Sequence, residues 1–126
     1  MEIKIAIKET KNIVTLKSIN SLNLREFISS FVHKSTTQIR HPTLNNIVIF
    51  FHERKPGESK DENFKINAFN KIIYGPVVFV KTTEDGTILS ITNEDYKKIL
   101  QSFKNFSITV IKEYIKGGES NDKINA

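Results

Sequence analysis

Residues 46–52 read NIVIFFH, with apolar side chains at odd and even positions alike. Successive side chains of a strand point to opposite sides of a sheet, so a run of this kind has to be covered on both faces. Its β-branched and aromatic residues suit a central strand. Residues 77–81 (VVFVK) have the same character. A chain with two such strands needs a sheet at its centre and other elements packed against it.

The remaining segments supply candidates. Met1, Ile3, Ile5 and Ile7 alternate with Glu2, Lys4 and Lys8, the period of a half-buried strand. Lys11-Asn12 offers a turn, and Ile13, Val14 and Leu16 resume as a second strand, giving an N-terminal hairpin. Leu24, Phe27, Ile28, Phe31 and Val32 form one helical stripe over residues 23–33. Asn23 with Glu26 reads as its capping box, and Leu22 with Phe27 as a hydrophobic staple.

Residues 34–46 are polar, contain His41-Pro42 and read as a loop. Residues 53–62 (ERKPGESKDE) read as a solvated, charged loop around Pro56-Gly57. Residues 64–74 follow no single period and read as an irregular stretch running into a strand. Asp85-Gly86 marks a tight turn from 77–81 into a strand at 87–91. Thr92 and Asp95 then cap a second helix, whose stripe is Tyr96, Ile99, Leu100 and Phe103. Residues 106–116 support two readings. Phe106, Val110 and Tyr114 continue a helical stripe that Gly117 would stop, whereas the SITVI run favours a strand. The helix is preferred.

These segments make one α+β domain over residues 1–116, followed by a polar, disordered tail at 117–126. The expected architecture is a mixed, mainly antiparallel sheet of four or five strands, with two amphipathic helices packed on one face. The other face is left to the C-terminal segment as a third layer, or to a partner. A chain of 126 residues can bury about two-thirds of its unfolded surface and needs no covalent staple.

Residue chemistry narrows the function. The chain has no cysteine, which excludes disulfides, thiolate zinc sites and cysteine nucleophiles. His33, His41 and His52 follow no metal-ligand spacing, so no metal site is expected. No serine lies in a nucleophile elbow. The five glycines build no phosphate-binding loop, so no nucleotide cofactor is expected. The carboxylates lie mainly in loops and helix starts, where capping and solvation account for them. The net charge of +5 comes with 16 lysines and 3 arginines. Abundant Ile, Asn and Lys look like AT-rich coding drift, which weakens inference from charge. Arg40, Arg54, Lys55, Lys60 and Lys65 lie in or beside two loops and are the candidate nucleic-acid contacts. Acids interleave with them, so a solvated face is the plainer reading. No secretory leader and no run of about 18 apolar residues is present, so an intracellular protein outside the membrane is expected.

Residues 46–103 carry a family resemblance. Asn67 or Asn70, Gly75-Pro76, an apolar strand, Asp85-Gly86 and Ser90-Ile91-Thr92 leading into Glu94-Asp95-Tyr96 follow one another in this order. The order resembles that of a family of small uncharacterised proteins of phages and large DNA viruses. The resemblance implies viral origin and a compact α+β domain, and it brings no catalytic residues. The expected function is a non-enzymatic interaction protein, a viral accessory or virion component, bound to a protein partner or to copies of itself. The alternative is a basic accessory protein that binds nucleic acid.

Overall fold

The computed structural model describes residues 1–32, 35–55, 57–58, 61–104 and 108–109. Its main sheet contains β1 (Glu2–Lys8), β2 (Thr15–Asn20), β3 (Thr36–Arg40), β4 (Ile47–His52), β7 (Val77–Thr82) and β8 (Ile88–Leu89). The strand order is β2-β1-β7-β4-β3, with β8 added against β7. A second sheet runs in the order β6-β5-β9, from β5 (Glu62–Ile66), β6 (Lys71–Tyr74) and β9 (Ile108–Thr109). The helices are α1 (Leu24–Val32) and α2 (Asn93–Lys104). The α+β class and the antiparallel sheet agree with the sequence. All recorded pairings are antiparallel, and the strands outnumber the four or five expected.

The doubly apolar strands take the central positions. In register, β4 and β7 pair Ile49 with Phe79 and Phe50 with Val78. Alternation then divides their side chains. Val77 and Phe79 join Ala6, Ile47, Ile49 and Phe51 in one buried cluster with Phe64, Ile66 and Ile73 of the second sheet and Ile99 of α2. Val78 and Val80 join Ile3 and Ile5 in another, with Leu24, Ile28 and Val32 of α1. The main sheet is therefore covered on both sides, by α1 on one and by the second sheet with α2 on the other.

This corrects the placement of both helices on one face. A helical stripe reports that a helix is buried, but not which side of a sheet it chooses. Of the C-terminal segment expected as a third layer, Ile108–Thr109 does join the second sheet as β9, but it does not make that layer alone. The layer is built largely by residues 62–74, whose hairpin was hidden by a turn at Asn67–Phe69 and by Asn70. Asn70 adopts a left-handed φ of 51°, which asparagine tolerates better than most side chains.

Several local expectations change for identifiable reasons. Residues 36–40 (TTQIR) form β3 instead of a loop. As an edge strand it needs one partner, and its backbone pairs with β4 from Thr36↔His52 to Arg40↔Val48. The cap before α1 lies at Asn20, whose side chain accepts from the Leu22 amide at 2.9 Å and starts a 3₁₀ turn at Ser21–Asn23. Leu22 is 87% exposed, so it does not staple Phe27. Where a helix was preferred, Ile108 and Thr109 pair with Ile66 and Lys65 of β5. Residues 110–116 and the tail at 117–126 lie outside the described residues.

Other expectations hold. β1 and β2 form the N-terminal hairpin. Gly86, at φ 90°, turns the chain between β7 and β8. Thr92 and Asp95 cap α2 reciprocally. The Thr92 amide donates to the Asp95 carboxylate at 2.9 Å, and the Asp95 amide donates to Thr92 Oγ1 at 3.0 Å.

Candidate functional site

The described basic candidates do not form one patch. Arg40 ends β3, and its guanidinium donates to the Asn45 carbonyl. Arg54 and Lys55 follow the other end of β4, where His52 pairs with Thr36. Four strand residues, about 13 Å, separate the two ends. Lys65 lies on β5 opposite Ile72. Since Phe64, Ile66 and Ile73 point into the core, alternation puts Lys65, Ile72 and Tyr74 on the outward face of the second sheet. The Arg54 guanidinium lies 4.8 Å from the centre of the Tyr74 ring, a cation–π geometry. Arg54 thus meets Tyr74 on the face of the second sheet that also carries Lys65, whereas Arg40 lies apart. Lys60 lies outside the described residues.

Carboxylates share this region. Glu53 pairs with Lys71 at 3.0 Å. Glu58 pairs with His52 at 3.1 Å and also accepts the Lys55 amide at 2.7 Å. Glu62 lies opposite Tyr74. The field around Arg54 is therefore mixed.

Two histidines are structural. His41 is buried in the turn between β3 and β4, and its Nδ1 accepts from the Thr43 and Leu44 amides, each at 3.2 Å. Burial lowers its pKa from 6.5 to about 4. His52 Nδ1 lies 2.8 Å from the Ser35 carbonyl, and its other nitrogen faces Glu58. His33 lies outside the described residues. Among the described residues, no three His, Asp or Glu side chains converge as metal ligands do.

A further polar cluster was invisible in the sequence. Lys8, the last residue of β1, and Asn63 on β5 are both buried. Lys8 Nζ donates to Asn63 Oδ1 at 2.5 Å, while Asn63 Nδ2 donates to the Lys8 carbonyl at 3.2 Å and to the Gly75 carbonyl at 2.8 Å. The two sheets are tied together here. An open depression of about 470 Å³ lies beside this junction, lined by Glu9, Asn12, Asp61 and Pro76 among others. Glu9 within it already accepts from Asn12 at 3.0 Å.

The remaining shifted carboxylates shape turns and ends. Burial raises the Asp95 pKa, but bonds from the Thr92 amide, Lys81 and the Thr92 hydroxyl outweigh it and lower it overall. Lys81 reaches Asp95 at 2.9 Å and so ties β7 to α2. Hydrogen bonds from Thr83 and Thr87 lower the Asp85 pKa at the β7–β8 turn.

No protein-family model, curated protein or solved structure matches the chain. No helix among the described residues is long and apolar enough to cross a membrane.

Proposed function

We propose that this chain is a non-enzymatic interaction protein that works inside the cell, as an accessory or virion component of a large DNA virus. One observation carries the non-enzymatic reading. The polar side chains best suited to chemistry are engaged in holding the fold. His41 binds turn amides, His52 binds a carbonyl and a carboxylate, Lys8 binds Asn63, and Asp95 caps a helix. A catalytic group has to meet substrate with its reactive atom, and these atoms either bind the chain itself or, like Nε2 of His41, are buried within it. The viral part rests on the resemblance over residues 46–103. Native mass spectrometry and light scattering test the reading. The expected result is a defined homo-oligomer or a stoichiometric complex, and a strict monomer with no co-purifying partner overturns it.

A second reading has its own observation, the Arg54–Tyr74 stack with Lys65 on the same side of the second sheet. Guanidinium and aromatic planes stack on bases, and neighbouring cations neutralise phosphates. If Arg54, Lys55 and Lys65 each neutralise one phosphate, affinity for single-stranded DNA should fall with salt at a log–log slope of about −2. Fluorescence anisotropy with a labelled oligonucleotide, between low and moderate salt, measures the slope. No binding at low salt eliminates this reading.

A further inference from the structure

The β3–β4 turn contains a buried nitrogen atom without a hydrogen-bond partner, Nε2 of His41. The other ring nitrogen explains why it is there. Nδ1 accepts two backbone N–H groups, so it carries no proton, and the neutral ring must hold its proton on Nε2. That N–H points into the protein with nothing to receive it. The turn is otherwise closed by the chain: the His41 amide donates to the Ile47 carbonyl at 2.8 Å, and the Ile47 amide to the Leu44 carbonyl at 3.0 Å.

A second proton has no place in this geometry. It would sit on Nδ1, facing two amide N–H donors, with the Thr43 hydroxyl at 3.5 Å as the one acceptor in reach among the described residues, too distant for a good hydrogen bond. The charged ring would also lie in a site where the described elements bring it no counter-ion. Arg40, at the end of β3, is itself a cation and donates to Asn45. Lys81, on β7 opposite Ile47, is paired with Asp95 of α2. We infer that the β3–β4 turn is an acid-sensitive latch, closed by neutral His41 and opened when protonation drives the ring into water. Opening frees the end of edge strand β3 and loosens the cover on the apolar edge of β4, a template for another strand.

With an expelled ring titrating at its ordinary 6.5 and the seated ring at about 4, protonation shifts the balance towards the open turn by up to about 300-fold as pH falls from neutral to below 4. The stabilising effect of the seated ring is complete above pH 6.5. It shrinks as pH falls from 6.5 towards 4, because the open state binds the extra proton.

An NMR titration of the full chain from pH 7 to 3.5 tests the latch. The Thr43 and Leu44 amides and the His41 ring should shift together with a midpoint near 4, while the amides of Phe79 and Val80 keep their native positions. In His41→Asn the side-chain oxygen can still accept from a turn amide but does not titrate, so Thr43 and Leu44 should stay fixed. Turn amides that do not move through pH 4 overturn the inference, as does an unchanged transition in the variant. Loss of the Phe79 and Val80 amides in the same step also overturns it, and decides the matter even if the variant does not fold.

Discussion

Replacing Phe79 by alanine is expected to destabilise the protein by about 3–5 kcal/mol, a large share of the roughly 5–15 kcal/mol that holds a domain of this size together. Phe79 is fully buried at the middle of β7, between Ala6 of β1 and Ile49 of β4. Its ring stacks on Phe64 of the second sheet with centroids 6.3 Å apart. Truncation removes the ring's transfer free energy and leaves a hole walled by both sheets. Strands fixed by hydrogen bonds on each side cannot close that hole fully. Urea unfolding followed by circular dichroism measures the loss. Leu22→Ala provides the contrast. Leu22 stands in water, so its removal should change stability by less than about 0.5 kcal/mol. Similar losses for the two variants would contradict the layered core.

The pattern of legibility follows from the range of the forces involved. The central strands were readable because apolar residues at both parities demand cover on both sides. The α2 cap was readable because Thr92 and Asp95 are three residues apart and bond to each other. By contrast, β3 carries no strand signal, because an edge strand with one inward apolar residue, Ile39, has the composition of a loop. The second sheet was obscured because residues 62–74 change period at Asn70, whose left-handed backbone carries no apolar signal. Face assignment was out of reach altogether: α1 and α2 have similar stripes, and the sheet face each one meets depends on chain topology. The basic candidates were named singly, but only the fold separates Arg40 from Arg54 and Lys65. Tyr74, which gives Arg54 its setting, lies 20 positions along the chain, too far for a local pattern. The turn role of His41 leaves a faint trace in His41-Pro42, which suggests a loop but not a ring accepting two amides.

The second large effect is expected at Asn63, the residue that joins the two sheets. Its amide uses both ends: Oδ1 accepts from Lys8 Nζ, and Nδ2 donates to the Lys8 and Gly75 carbonyls. Asn63→Ala removes one acceptor and two donor contacts in a site closed to water. Lys8 Nζ keeps the Glu9 carbonyl at 3.3 Å, so the loss falls mainly on the two carbonyls. Each buried polar group that loses its partner costs about 1–3 kcal/mol, and the variant should lose about 2–4 kcal/mol in urea unfolding. Asn63→Asp should not repair the site. A carboxylate would face Lys8 favourably, but it cannot donate to the two carbonyls and would repel both. The double variant Lys8→Met with Asn63→Leu separates the contributions. Removing the buried ammonium with its partner should restore about 1–2 kcal/mol relative to Asn63→Ala. Full recovery would mean that the two carbonyls contribute nothing. No recovery would mean that the lysine was never the costly group, leaving backbone satisfaction at the sheet junction as the sole reason for an asparagine there.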